Sequence, residues 1–338
     1  MSALKLSEPD LKAWLAKGVS AGKIARDMGM DARSLRKRIK RILNTATPAV
    51  QEPPPALRAV DALLAERKAK YHQKALHEAA RQLIPVTVHD KDPIGIVVLG
   101  DTHLDDDGTD LADVERHMQI IRKTAGMYAA SAGDHSNCWV GRLARLYAEQ
   151  STSAEEAWQL VEWFIDGLAG KIIFLIGGNH DAFLGAGDPI KWISRQHNAL
   201  YQSSEVRLEL CFPNGDRVRV NARHDHAGKS IYNPAHGVMK AATWGTRDHI
   251  IIAGHKHISG YGVLKDPESG RTCHSIQVGS FKVYDRYARE RGFRDQTLSP
   301  SATIIINPVL PETHPDKIKL FWQPEEGAAY LTWLRSRV

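Results

Sequence analysis

The sequence predicts an α/β fold, layered sheets with helices outside, preceded by a small all-α segment. Three observations predict it. From residue 93 onward, short apolar runs alternate with helical stretches and then give way to strands, the order that builds sheets covered by helices. Four of those runs end on glycine followed by polar residues: Gly100-Asp101-Thr102-His103, Gly133-Asp134-His135-Ser136-Asn137, Gly178-Asn179-His180-Asp181 and Gly254-His255-Lys256-His257. Residues 8–43 carry three short helical patterns and a net positive charge that the rest of the chain does not share.

At 338 residues the chain has room for one large domain and a small one. With 43% hydrophobic and 25% charged residues, it has the composition of a soluble globular protein. No apolar run approaches the roughly 18 residues of a membrane span, and the first ten residues lack the apolar segment of a signal peptide. Cys138, Cys211 and Cys273 are odd in number and scattered, which argues against a disulfide framework or a Cys-based zinc site. A reducing cytoplasm is the simplest location. The net charge of +6 is uneven: residues 1–45 carry +7, residues 46–85 carry +2 and the remainder −3. That asymmetry suggests an appended polyanion-binding module.

In order along the chain, Pro9 suits a first helical turn, and Leu11, Trp14 and Leu15 fall at helical spacing. Ser20 caps a second helix with Ile24, Ala25 and Met28, and Asp31 caps a third. Arg33, Arg36, Lys37, Lys40 and Arg41 share one face of that third helix, with Leu35, Ile39, Ile42 and Leu43 on the other. The pattern resembles a helix-turn-helix DNA-binding domain with residues 32–43 as recognition helix. Its basic face would supply salt-dependent phosphate contacts.

The proline-rich stretch 44–55 reads as a semi-rigid linker. Residues 56–83 read as a long charged helix with Leu57, Val60, Leu63 and Leu64 apolar, fit to pack on the larger domain or to pair with a second copy as a homodimer. Strands are expected at 94–99, 127–132, 172–176, 206–212, 217–221, 249–253, 260–264, 274–278 and 302–306. Helices are expected near 111–123, 140–149, 154–168, 189–196 and 234–243. Pro213-Asn-Gly-Asp216 signals a hairpin. In the tail, a helix near 328–335 places Trp333 and Leu334 against the core. The expected organisation is 1–45 helix-turn-helix, 46–85 linker and helix, 86–310 catalytic domain and 311–338 tail.

The polar residues at the strand ends are carboxylates, imidazoles and one amide, with no thiolate. That set suits Mn²⁺, Fe²⁺ or Zn²⁺. The glycines let the backbone turn sharply. Residues two apart on an extended chain point to one side, so His255 and His257 would reach neighbouring ions. In open α/β sheets, sites lie at the carboxyl ends of strands. His224, following the alternating strand that ends near Ala222, is a further candidate, with His226 as an alternative. Asp105, Asp106 and Asp107 read as a solvated loop, and His135, His249 and His274 as surface or packing residues.

The order GDxH, GDxxN, GNHD, a lone His and GHxH over residues 93–307 resembles the calcineurin-like metallophosphoesterases. The resemblance implies a four-layer αββα sandwich of two mixed sheets. It implies Asp101, His103 and His257 on a first divalent metal, Asn179, His224 and His255 on a second, and Asp134 bridging both. Manganese is the first choice, iron or zinc the alternatives. A hydroxide shared by the two ions would attack phosphorus, and His180 would protonate the leaving group. Asn137 stands where the protein-phosphatase branch has an aspartate; it can orient the His180 imidazole but stabilises its cation less, and Asp181 is the candidate to do so instead. The usual Asp-Arg-Gly continuation is also missing, which counts against a Ser/Thr phosphatase.

Three functions are compatible. The first is a DNA- or RNA-directed phosphodiesterase, supported by the basic N-terminal segment and by the mixed basic and aromatic residues of 281–294. The arrangement also resembles phage and prophage phosphoesterases bearing a helix-turn-helix. The second is an enzyme on small phosphoesters such as cyclic nucleotides, with the N-terminal module serving for tethering or regulation. The third is a non-catalytic DNA-binding protein.

Overall fold

The computed structural model describes residues 6–44, 57–182, 188–293 and 295–337, and the chain divides into two compact units, Met1–His72 and Gln73–Val338. Most of the expected linker at 44–55 lies outside the described residues.

In the first unit, α1 (Glu8–Ala16), α2 (Ala21–Asp27) and α3 (Ala32–Asn44) begin at capping side chains. The Ser7 hydroxyl accepts from Asp10 N, Ser20 from Lys23 N, and Asp31 from Ser34 N at 2.7 Å. Leu11, Ile24, Leu35, Ile39 and Ile42 close a small core. Leu43 was expected on the same stripe but is 61% exposed. Eight residues on from Leu35, it has rotated about 80° off the stripe. Arg33, Arg36, Lys37, Lys40 and Arg41 are exposed. Helix α4 (Val60–Arg81) buries none of its side chains, and Leu57, Val60 and Leu64 are exposed.

The second unit runs β1 (Ile84–Thr87), β2 (Ile94–Leu99), α5 (Leu111–Lys123), β3 (Met127–Ser131), a 3-10 helix (Gly141–Glu149), α6 (Ala154–Gly167), β4 (Ile172–Ile176), α7 (Asn179–Ala182), α8 (Pro189–Gln196), β5 (Leu200–Gln202), β6 (Glu205–Cys211), β7 (Arg217–Arg223), α9 (His236–Trp244), β8 (Ile250–Ala253), β9 (Gly260–Lys265), β10 (Thr272–Gln277), α10 (Arg286–Glu290), β11 (Ser301–Ile306), β12 (Ile318–Phe321) and α11 (Pro324–Arg335). Two mixed sheets of six strands result, ordered β1-β6-β7-β8-β10-β9 and β12-β11-β2-β3-β4-β5.

Alternation along the strands shows the layers. Ile96 and Val98 of β2 join Val220, Ile250 and Ile276 of the other sheet in one core between the sheets. Val97 and Leu99 face the opposite way, into a core with Val114, Phe164, Ile190 and Leu331 from the helices. Ile251 and Ala253 turn outward onto Val238 and Ala242 of α9. The order is helix, sheet, sheet, helix: an αββα sandwich.

Three short strands escaped the sequence reading. β1, β5 and β12 are each an outermost strand of a sheet, three or four residues long and only partly buried, so none shows a continuous apolar run. The sandwich therefore begins at Ile84, and β12 and α11 extend it past residue 310. In α11, Leu331 is buried and Leu334 packs beside it, whereas Trp333 is 49% exposed and does not cover the core as expected. Among the described residues, no helix is long and apolar enough to cross a membrane.

Candidate metal centre

Five strands from both sheets deliver their carboxyl ends to one place. Asp101 follows β2, Asp134 follows β3, Asn179 opens α7 after β4, His224 follows β7, and His255 and His257 follow β8. Asp101, His103 and His257 form one cluster and Asp134, His224 and His255 another, each with its ligand atoms within 4.8 Å of one another. A backbone bond from His103 N to Asp134 O at 3.0 Å ties the two turns together.

The donor atoms crowd in a way hydrogen bonds alone do not satisfy. His103 Nε2 and His257 Nε2 face each other at 3.2 Å. His224 Nε2 lies 3.1 Å from Asp134 Oδ2, 3.0 Å from Asn179 Oδ1 and 3.2 Å from His255 Nδ1. One ring nitrogen offers one proton or one lone pair, and cannot serve three neighbours. Asp101 is fully buried, and neither of its oxygens accepts a well-aligned hydrogen bond; the His257 Nε2 contact is 3.2 Å. A buried carboxylate without donors costs several kcal/mol, so a divalent cation fits this set.

The histidine electrostatics agree. Burial would lower the His224 pKa, but Asp134 and Asp101 together push it up to about 10. Burial would likewise lower that of His257, yet Asp101 and Asp285 raise it to about 9. His103 is held well below its ordinary value by burial and the neighbouring cations. Protons on His224 and His257 thus balance the buried carboxylates where cations would.

The backbone explains why these turns carry glycine. Gly133 takes a φ of +106°, a true turn. At Gly178 the reason is space: a Cβ there would lie 1.9 Å from Asp134 Oδ1. The expected extended chain at residues 255–257 is not found. His255 and His257 have φ values of +67° and +50°, and that bend sends them to different clusters. His103 and Asp134 also sit in this sparsely populated region, at a cost of roughly 1–3 kcal/mol each.

His180 stacks edge-on against His103 at a centroid distance of 5.1 Å. Its Nδ1 is bonded to the backbone carbonyl of Asn137. The Asn137 side chain, expected to orient His180, instead donates Nδ2 to Asp106 and Gln150 at 2.9 and 3.0 Å. Asp181 is also used differently from the expectation. Its carboxylate accepts from His135 N and Gly178 N and pairs with His135 Nδ1 at 3.0 Å. It fastens the β3 turn to the β4 turn, because α7 rotates its side chain toward β3 rather than toward His180. His135, fully buried, completes the brace through Ser131 at 2.9 Å.

The acidic run 105–107 is only partly the solvated loop expected: Asp107 is exposed, Asp106 half-buried and Asp105 buried. Asp105 is buried and accepts from Asn137 N and Gln150, Asp106 binds Lys282 Nζ at 2.8 Å, and Asp107 holds Ser151. His226 stays outside both clusters, its pKa lowered to about 4 chiefly by burial. Two residues went unnoticed as parts of the site. Asp285 Oδ2 stands 3.6 Å from His257 Nδ1, the far side of a ligand ring, where a carboxylate fixes ring orientation. Trp139 meets His180 edge-on at 5.0 Å. Neither belongs to a glycine-led strand-end motif, so spacing gave no signal.

No protein-family model matches the sequence, and no curated protein matches it. Among solved structures, the chain is similar to a nuclease MPE from Pseudomonas putida (14% identity, TM-score 0.33, 67% of this chain and 87% of that one). It is similar to the calcineurin-like phosphoesterase YfkN from Bacillus subtilis (12%, 0.38, 73% and 98%). A phosphatase from Mycoplasma pneumoniae is similar too (11%, 0.38, 69% and 93%). At these scores the likeness adds nothing to what the side chains themselves show.

Proposed function

We propose that the chain is a two-metal phosphodiesterase acting on nucleic acid. Asp101, His103 and His257 would hold one divalent cation and Asn179, His224 and His255 the other, with Asp134 as the ligand they would have in common. Manganese is the first choice, iron or zinc the alternatives. The supporting observation is the pair of adjacent oxygen and nitrogen clusters closing on the buried carboxylate of Asp101, which no well-aligned hydrogen bond satisfies. When bound, such a pair lowers the pKa of water and screens phosphate charge.

The chain's own groups complete the chemistry. With Nδ1 donating to the Asn137 carbonyl, His180 keeps Nε2 to hand a proton to the leaving oxygen. The Asn137 carbonyl orients the ring. Asp134 Oδ1 accepts from His180 N at 2.9 Å, which couples the acid's position to the shared ligand. The Asp181–His135 brace keeps both turns in register.

Nucleic acid is supported by the exposed basic face of α3, formed by Arg33, Arg36, Lys37, Lys40 and Arg41. Residues 1–45 then act as a helix-turn-helix module that raises the local concentration of substrate. The test is metal content together with hydrolysis of bis(4-nitrophenyl) phosphate and of DNA in Mn²⁺. Asp134→Ala should abolish both activities, and an Arg36→Ala/Lys37→Ala double variant should weaken DNA cleavage most at physiological salt. Protein that takes up no divalent ion and leaves both substrates intact would overturn the reading.

A further inference from the structure

Beside His180 lies a pocket of about 250 Å³ that the phosphodiester chemistry does not use. Trp139 is 7% exposed and forms one wall. Its ring meets His180 edge-on at 5.0 Å, and Lys282 Nζ lies over it 4.9 Å from the centroid. Lys282 is held by Asp106 at 2.8 Å and by Asp285 at 3.5 Å, and Asp285 also faces His257. The pocket is therefore joined to the first metal cluster by an unbroken run of contacts. Tyr284 and Tyr287 line the same pocket. Tyr284 is 67% exposed, and Arg289 lies over its ring at 5.8 Å.

What the pocket offers decides what it takes. Two of its three cations have carboxylate partners, Lys282 with Asp106 and Asp285 and Arg286 with Glu290, and the third, Arg289, lies over the Tyr284 ring. It is thus a poor site for a second phosphate. Gln150 is committed as well, donating to Asp105 and accepting from Asn137. What remains are aromatic rings with cations over one face, Lys282 over Trp139 and Arg289 over Tyr284, a mixture of π surface and positive charge on which bases stack with little regard to sequence. The volume falls below the roughly 300–1,000 Å³ of sites that engulf a drug-sized ligand. That is room on the scale of one nucleoside, and a base that stacks on these rings must first leave its own duplex stack.

We propose that this pocket receives the base of a nucleotide flanking the scissile phosphate, so that the enzyme acts on single-stranded nucleic acid with little base preference. The inference rests on the phosphodiesterase reading above and deepens it. The full chain loaded with Mn²⁺ is assayed on a single-stranded oligonucleotide, on its blunt duplex and on ethyl 4-nitrophenyl phosphate, which carries no base. Expected is a kcat/KM for the single strand about tenfold or more above that for the duplex. Tyr284→Ala should lower kcat/KM on the single strand about tenfold more than on the ester, mainly through KM, and Tyr284→Phe should restore it, since stacking needs the ring and not the hydroxyl. Deoxyadenosine monophosphate should inhibit the parent more strongly than inorganic phosphate does, and lose that advantage in Tyr284→Ala. Equal losses on oligonucleotide and ester, or a duplex cut as fast as the single strand, would overturn the subsite while ester hydrolysis left the phosphodiesterase reading standing. If no substrate is cleaved, both fall together.

Discussion

Replacing Gly178 by alanine adds one methyl group at the most crowded point of the centre. The new Cβ would lie 1.9 Å from Asp134 Oδ1, where ordinary contact begins near 3.4 Å, so the carboxylate must retreat by about 1.5 Å. It has little freedom to do so. Oδ1 accepts from His180 N at 2.9 Å and Oδ2 lies 3.1 Å from His224 Nε2. Displacements of about 1 Å at a reacting centre cost on the order of 10²-fold in rate. Gly178→Ala should therefore lose at least about 10²-fold in kcat/KM on bis(4-nitrophenyl) phosphate and bind fewer than two metals per chain. The overpacking should destabilise by about 1–3 kcal/mol, leaving the fold intact by circular dichroism. Gly22→Ala is the control: that position, inside α2, has nothing within 4 Å of the added Cβ. It should leave the rate alone and stabilise by up to about 1 kcal/mol. A Gly178→Ala protein that keeps both metals and a rate within about threefold of the parent would refute the shared role of Asp134.

The remaining expectations concern neighbouring groups. His180→Ala should reduce kcat by about 10²–10⁴ with metal content retained. The loss should be smaller for a 4-nitrophenolate leaving group than for an alkoxide; equal losses would remove the general-acid role. Asp181→Ala strands His135 N, the His135 ring and Gly178 N in the interior, and should cost roughly 3–5 kcal/mol in urea unfolding. A variant as stable as the parent would show the brace to be idle. His249 is buried, its Nδ1 accepts from Arg219 N at 3.1 Å, and burial with Arg271 pushes its pKa down to about 4. A depressed histidine gives stability that is complete above its unfolded pKa near 6.5 and lost as pH falls toward 4, on the order of 3 kcal/mol. His249→Leu should flatten that acid limb of the urea midpoint, and identical pH slopes in the two proteins would rule it out.

Much of this cluster was legible because its oxygen- and nitrogen-bearing side chains sit at strand ends, where an apolar run stops and a short polar motif begins. Asp101, Asp134, Asn179 and His255 could each be found that way. What escaped was what depends on direction rather than spacing. Asp181 follows His180 in sequence, yet one turn of helix points it at His135. Asn137 meets His180 through its carbonyl, a group every residue carries and no sequence pattern marks. The bend at His255 and His257 could not be inferred from an alternation rule written for extended chain. The edge strands β1, β5 and β12 were missed because an edge needs only partial burial and a few residues.

Strand β2, which ends just before Asp101, lies between β3 and β11, and its partner in β11 comes from residues 301–306. During synthesis β2 therefore waits for a neighbour made about two hundred residues later. Until that neighbour emerges, one flank of the strand has unpaired backbone groups and nothing to hold Asp101 against Ser280 and Phe281. On the two-metal reading proposed above, ion capture would wait for the last stage of folding, and a ribosome-bound fragment stopped before residue 301 should remain metal-free.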